Sequence, residues 1–210
     1  MIIYKKCKKC RRAGEKLFLK GEKCLSPKCV FEKKSYPPGL PLTARKHRSM
    51  MSEYGTQLKE KQKVRNVYQL SEKQFSAYVK HASSKHGVVP TEQLFEDLET
   101  RLDSVVFRLG FADSRSLARQ ITSHGHLTVN GRRVDIPSYK VRKGDVIAVR
   151  EGSKEKPYFL NLKEKIQKHT APTWLKLDAS KLEGVVQDKP LLGQSDLSFN
   201  LTLIMEFYSR

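Results

Sequence analysis

Between Leu94 and Arg150 the spacing of apolar residues changes period, and that change dictates more of the local architecture than any other stretch of the chain. Leu94, Leu98, Leu102, Val105, Val106 and Leu109 recur every three or four positions, the repeat of a helix with one buried stripe, and Gly110 offers a stop. Ser114 is placed to cap a second helix with Leu117, Ala118 and Ile121 on its inner face, and Gly125 can take the left-handed conformation that ends it. Alternation over Leu127, Thr128 and Val129 then meets Asn130-Gly131, the dipeptide best suited to a tight primed turn, with Arg132 and Arg133 on the return limb. Tyr139 to Val141 and Val146 to Val149 flank Lys143-Gly144-Asp145 and read as two more short strands. The stretch predicts two helices followed by a hairpin that displays two arginines.

The chemistry on and beside the second helix and hairpin is cationic and rich in donors: Arg115, Arg119, Gln120, His124, His126, Asn130, Arg132, Arg133, Lys140 and Arg142. Guanidinium groups offer forked donors to phosphates or base edges, and Tyr139 offers a ring on which a base could stack. A solvated basic face with no partner is the plain alternative. The string from Ser114 through Arg119-Gln120, His124-Gly125-His126, Val129 to Val134 and Pro137-Ser138-Tyr139 resembles the small RNA-binding fold named after bacterial small-subunit ribosomal protein number four. That module also serves RNA-modifying and tRNA-charging enzymes, so by itself the resemblance implies RNA binding only.

The charge of the whole chain points the same way. Its 210 residues carry 41 Lys or Arg against 22 Asp or Glu, a net +19, which suits a polyanionic partner and exceeds what an ordinary enzyme carries. Residues 1–48 hold 15 Lys or Arg and 3 Glu, so twelve of the nineteen net charges lie in less than a quarter of the chain. A membrane surface is the weaker partner, because no apolar run approaches bilayer length and no long basic amphipathic helix has an aromatic face. The start, Met1-Ile2-Ile3-Tyr4-Lys5-Lys6, lacks the apolar stretch of a signal peptide, and a reducing compartment is the expectation.

All four cysteines, Cys7, Cys10, Cys24 and Cys29, fall in this basic arm as two close pairs. Such thiolates can close a tetrahedron around one zinc ion, and the neighbouring cations favour the thiolate form. Two disulfides, four free thiols or an iron-sulfur cluster would use the same residues. Four protein ligands leave no open position for a substrate, so a metal here would be structural.

Downstream, Pro37, Pro38, Gly39 and Pro41 make a bent connector into Arg45, Lys46, His47 and Arg48. A helix is expected from about Ser52 to Tyr68, and Ser71 with Gln74 forms a capping box for another that buries Phe75, Tyr78, Val79 and Ala82. After Arg150, Gly152 and Ser153 read as a linker, Glu155 to His169 as partly helical, Trp174, Leu175 and Leu177 as apolar anchors, and Leu201 to Tyr208 as a buried strand or packed tail. An end this apolar must bury itself, and packing of the two chain ends against each other accounts for it. The expected fold class is α+β: a zinc-knuckle arm over 1–44, a mainly helical domain from 45–94 plus 156–210, and an inserted helix-helix-hairpin domain over 95–155.

With these segments in place the resemblance spans nearly the whole chain. Cys7-Lys8-Lys9-Cys10-Arg11-Arg12, Tyr36-Pro37-Pro38-Gly39, Glu60-Lys61-Gln62-Lys63 with Arg65, Arg101-Leu102-Asp103, Arg108-Leu109-Gly110-Phe111 and the closing Glu206 to Arg210 are similar to the bacterial-type small-subunit ribosomal protein four family. Leu40-Pro41-Leu42 and the stretch from Leu182 to Ser195 depart from its pattern. The resemblance implies a primary binder of small-subunit ribosomal RNA at a helix junction of the five-prime domain, which nucleates subunit assembly on bacterial-type cytoplasmic ribosomes. It implies contact with ribosomal protein number five of the small subunit, a contribution to translational accuracy, and a place near the mRNA entry channel for Arg45, Lys46 and Arg48. It also adds Arg11, Arg12, Lys61, Lys63, Arg65 and Arg101 to the expected RNA contacts, and zinc to the four cysteines.

Two other functions use parts of the same pattern. An RNA-modifying or tRNA-charging enzyme needs a catalytic domain, and neither a phosphate-cradling Gly-rich loop nor a carboxylate-centred catalytic set stands out. A zinc-containing DNA-binding regulator could place the helix from Ser114 to His124 in a major groove, although a hairpin with paired arginines suits shaped RNA at least as well.

Overall fold

The computed structural model describes residues 5–39, 50–167, 169–194 and 199–209. Its elements run α1 (Lys6–Ala13), α2 (Glu22–Leu25), α3 (Val30–Lys33), α4 (Glu53–Val67), α5 (Glu72–Ser84), α6 (Pro90–Glu99), α7 (Leu102–Arg108) and α8 (Arg115–Ser123). There follow β1 (Leu127–Val129), β2 (Arg132–Arg133), β3 (Val146–Val149), α9 (Glu151–Lys154), α10 (Pro157–Leu160), α11 (Leu162–Gln167), β4 (Leu175–Asp178), β5 (Glu183–Val186) and α12 (Leu201–Ser209). The chain divides into one unit of Met1–Thr91 with Leu197–Arg210 and another of Glu92–Asp196.

In the first unit the capping box expected from sequence forms, and a cap at Ser52 joins it. Ser52 Oγ accepts from the Gly55 amide at 3.2 Å, and Ser71 and Gln74 satisfy each other's backbone donors at the start of α5. Val64, Tyr68, Leu70, Phe75, Val79 and Ala82 are buried, and α12 packs on α4 and α5 through Leu201 and Ile204. The chain end is therefore a helix where a strand or tail was expected. Asn200 supplies its start, accepting from the amides of Thr202 at 3.0 Å and Leu203 at 3.3 Å, and the apolar spacing Leu201, Ile204, Tyr208 follows the helical repeat.

The second unit is a five-stranded antiparallel sheet, order β2-β1-β3-β5-β4, with helices against it. Leu102, Val105, Val106, Leu109, Ala118 and Ile121 from α7 and α8 share one core with Leu127, Ile147, Val149, Phe159, Leu162, Trp174 and Val186. This unit extends well beyond the boundary expected at 155. Val146 pairs with Val185 and Ile147 with Gly184, so β5 and then β4 continue the sheet, and Trp174 and Leu175 are buried in its core. The described residues from 156 to 194 thus pack with α7, α8 and the hairpin in the second unit, where the helical domain was expected to hold them. Likewise Gly152 and Ser153, expected in a linker, lie in the short helix α9. In the first unit, the described part of the basic arm, residues 5–39, is grouped with α4 and α5, where the arm was expected as a separate segment.

A second difference lies at Thr100-Arg101, where the single helix expected over 94–109 breaks. Arg101 is extended (ψ 139°), the Leu102 amide donates to Tyr139 O at 2.9 Å, and the Val141 amide donates to Thr100 O at 2.9 Å. The segment expected as a strand, Tyr139 to Val141, instead makes one bridge, Lys140 to Arg101, and replaces the lost helical hydrogen bonds. The apolar repeat runs unbroken across this kink because α6 and α7 both turn their stripe inward.

Candidate nucleic-acid interface

The hairpin of the second unit forms as its turn residues require. Asn130 (φ 50°) and Gly131 (φ 78°) both take the left-handed conformation, and Asn130 is fixed further by donating to Asp145 at 2.8 Å and accepting from the Val146 amide at 2.9 Å. Arg132 and Arg133 project from β2, both exposed. At Gly125 (φ 67°) an added Cβ would collide with the Arg133 guanidinium, so Arg133 folds over the glycine that ends α8. Gln120, His124, Tyr139, Lys140, Arg142 and Lys143 are also exposed in this unit.

His126 is less open. Its Nδ1 lies 3.0 Å from Ser153 Oγ and its ring meets Phe159 edge-on at 5.8 Å. Burial, then the charges of Lys156, His124, Arg150 and Arg133, hold its pKa below the ordinary value of 6.5. Burial disfavours the imidazolium first and the gathered cations add to it, so an anion placed there would relieve the second contribution only.

Other expected contacts are committed internally. Asp103, 3% exposed, accepts from Arg101 Nε and Nη2 at 3.0 and 2.9 Å and from Arg119 Nε and Nη2 at 2.9 and 2.6 Å. Glu99, 0% exposed, accepts from Arg108 Nε and Nη2 at 2.8 and 3.0 Å and from Arg115 Nη2 at 3.0 Å, while the Arg115 guanidinium stacks 4.5 Å from the Phe107 ring. Buried Asp97 accepts from Lys140 at 2.6 Å. Arg101 is itself only 4% exposed. The face read as phosphate-binding is thus two layers: a buried carboxylate layer clamping Arg101, Arg115 and Arg119, and an outer layer around Arg132 and Arg133. The sequence signal for the inner layer was present in Asp97, Glu99 and Asp103, three acids within seven positions of a strongly basic chain.

In the first unit the expected contacts divide in the same way. Buried Lys61 donates to Glu72 at 2.8 Å and lies 4.5 Å from the Phe207 ring, Arg65 donates to Glu72 at 2.9 Å, and Tyr208 O–H donates to Glu72 at 2.7 Å. Burial alone would raise the Glu72 carboxyl, but the hydrogen bonds from Lys61 and Tyr208 and the charges of Lys61 and Arg65 hold it below the usual carboxylate range. Lys63 pairs with Glu60 at 2.6 Å and Glu15 at 3.1 Å. Arg11 donates to Tyr36 O at 2.9 Å and stacks 4.7 Å from its ring, whereas Arg12 is exposed. Arg45, Lys46 and Arg48 lie outside the described residues.

Cys7 and Cys10 stand on α1, Cys24 on α2, and Cys29 is the residue before α3; all four are free thiols, and all but Cys7 are buried. Among the described residues no three Cys, His, Asp or Glu side chains are gathered as a metal would hold them. The donor set nonetheless suits a soft metal. Burial raises the Cys10 thiol, a backbone hydrogen bond from Leu17 opposes that, and Cys24, Cys7 and Cys29 each raise it further, so the other three sulfurs lie within electrostatic reach of Cys10. The Lys20 amide also points at Cys24 Sγ, 3.4 Å away. α2 and α3 have four residues each, too few to be stable without tertiary support.

Comparison with known proteins also finds two parts, with the boundary at residues 99–100 and the second match ending before β4 and β5. Residues 2–99 match the ribosomal protein S4/S9 N-terminal domain, and residues 100–147 match the S4 domain. The small ribosomal subunit protein uS4 of Syntrophomonas wolfei is 48% identical over 204 residues, covering 97% of this chain and 96% of the relative. The protein of the same name from Caldicellulosiruptor saccharolyticus gives the same figures, and that of Maridesulfovibrio salexigens is 46% identical over 205 residues, covering 98% and 97%. A likeness of this depth across almost the entire length of both sequences leaves one assignment: the chain belongs to the uS4 family of small ribosomal subunit proteins.

Proposed function

We propose that the protein is a structural constituent of the small ribosomal subunit that binds its ribosomal RNA and acts by holding strands, not by turnover. The observation that carries this reading is the outer cationic layer of the second unit: Arg132 and Arg133 on a pinned hairpin, with Gln120, His124, Asn130 and Tyr139 exposed in the same unit. Phosphates displace counterions from such a face, and a hairpin beside a helix end fits a folded backbone better than a straight duplex groove. Full-length protein should co-sediment with small subunits and retain a five-prime-domain junction transcript on filters at physiological salt. Equal affinity for matched DNA duplex, or none for the transcript, would overturn the reading.

Three finer points follow from the family and from the residues that match its pattern. The RNA target is a helix junction of the five-prime domain, where early binding nucleates assembly on bacterial-type cytoplasmic ribosomes. The protein meets ribosomal protein number five in a way that bears on translational accuracy, and Arg45, Lys46 and Arg48 border the mRNA entry channel. Cys7, Cys10, Cys24 and Cys29 hold one zinc ion, which when bound supplies a tetrahedral cross-link for a lobe of three short helices. Metal analysis of freshly purified, reduced protein should return one equivalent. Cys24→Ser should lose it and loosen the arm while the second unit keeps its thermal transition.

A further inference from the structure

The turn that carries Arg132 and Arg133 is also chemically reactive. Of the chain's asparagines, Asn66, Asn130, Asn161 and Asn200, only Asn130 precedes a glycine; the others precede Val or Leu, whose side chains shield their own backbone nitrogens. Asn130 and Gly131 are exposed, a Cβ added at Gly131 would meet nothing within 4 Å, and the Gly131 amide has no hydrogen-bond partner among the described residues. An open nucleophile therefore lies next to an electrophilic carboxamide carbon. What restrains them is the pairing of the carboxamide itself: Asn130 Nδ2 donates to Asp145 Oδ1 at 2.8 Å, and its Oδ1 accepts from the Val146 amide at 2.9 Å. Asp145 is fixed in turn, its Oδ2 accepting from the Arg142 amide at 2.7 Å and its carbonyl from the Val186 amide at 3.0 Å.

We infer that Asn130 is a self-modifying site: when the hairpin loosens, the Gly131 nitrogen attacks Asn130 Cγ, and the pairing with Asp145 and Val146 holds that reaction off in the closed hairpin. The attack forms the Cγ–N bond of a five-membered succinimide; the Gly131 amide proton passes to water, the Cγ–Nδ2 bond breaks and ammonia leaves. Water then adds to one of the two ring carbonyls and breaks its bond to nitrogen, giving aspartate or, through the main-chain carbonyl, isoaspartate. Nothing is oxidised or reduced, and water is the sole co-reactant. Either product undoes the turn. Aspartate sets a carboxylate oxygen where a donor faced Asp145, and the two like charges repel. Isoaspartate lengthens the backbone by one atom, which a two-residue primed turn does not absorb while Val129 stays paired with Arg132. Both products add a negative charge next to the exposed arginines. The reaction thus retires molecules whose hairpin is loose and spares closed ones. Its consequence for RNA rests on the RNA-binding reading above; the chemistry at Asn130 does not.

The test incubates full-length protein at one pH and temperature and follows conversion of the Asn130 peptide by mass spectrometry, with electron-transfer fragmentation to separate aspartate from isoaspartate. Native wild type should convert at least about tenfold more slowly than wild type unfolded in guanidinium chloride, because two hydrogen bonds must first be released. That comparison needs no variant. Asp145→Ala, with its thermal transition intact, should convert at least about fivefold faster than native wild type, the release expected for one charge-assisted bond. The converted fraction, separated by charge, should bind the junction transcript at least about fivefold more weakly than the unconverted fraction at one salt concentration. Equal rates for native and unfolded wild type would overturn the inference, as would folded Asp145→Ala that converts no faster, or a converted fraction that binds as tightly as the unconverted one. If wild type itself ignores the transcript, the RNA-binding reading fails, and the two rate comparisons still decide whether the hairpin gates Asn130.

Discussion

The inner and outer arginines of the second unit belong to one stretch, residues 101–133, and are opposite in circumstance. Arg101 and Arg119 converge on Asp103, and Arg108 and Arg115 on Glu99; both carboxylates and Arg101 are buried, and the other three arginines are half-buried. Arg132 and Arg133 stand exposed on β2. The same side chain is framework in one place and ligand-ready in the other, and the difference is the carboxylate that the fold delivers. Net charge measures attraction to a polyanion; it does not say which cations meet the polyanion.

The sharpest way to break this contrast is Asp103→Ala, which strands two guanidiniums away from water. It should cost about 3–5 kcal/mol of stability, read from urea unfolding of the second unit's transition. Loss of RNA affinity in protein that is still fully folded would show that the inner layer also touches RNA. Arg132→Ala is the converse: junction-RNA affinity should fall by about 1–3 kcal/mol and the salt slope by about one, with unfolding shifted by less than about 0.5 kcal/mol. By the same logic Arg119→Ala should appear first as lost stability.

A smaller effect is expected at Glu72, where Lys61, Arg65 and Tyr208 meet in the first unit. Its carboxyl is held below the ordinary value of 4.5, so its stabilisation is complete above that pH and is lost as pH falls through the lower folded value. Because Glu72 is partly exposed, Glu72→Gln should cost no more than about 1 kcal/mol at neutral pH and flatten that acid dependence in thermal melts. The smallest effect concerns His126. With its folded pKa below 6.5, the free module is favoured by neutral His126 above that pH and loses this contribution as pH falls through the folded value. Bound phosphate cancels the repulsion from Lys156, His124, Arg150 and Arg133, so binding takes up a proton. RNA affinity should rise severalfold as pH falls from about 7.5 to about 5.5, and His126→Gln should remove that slope while leaving affinity at the upper pH intact.

Local chemistry made much of this legible. Ser71 with Gln74, Ser114, and Asn130-Gly131 each specify a backbone geometry through their own side chains or lack of one, and each forms as its chemistry requires. Asn200 carried a comparable signal for the terminal helix, but the neighbouring apolar run read equally well as a strand. The break at Arg101 carried none, since residues 139–141, some forty positions away, supply the hydrogen bonds that make it affordable.

What the sequence determined by itself was everything with a short range: helix starts, the hairpin turn, the cysteine pairs and the excess of positive charge, together with a family likeness spread over enough positions to be unmistakable. Tertiary structure alone decided where the module ends, because β5 joins β3 only by pairing across the sheet, and which arginines are spent inside it. It also alone brought α1 to α4. Those outcomes depend on which distant groups meet, and a burial or an ion pair exists only once both partners have been delivered to the same place.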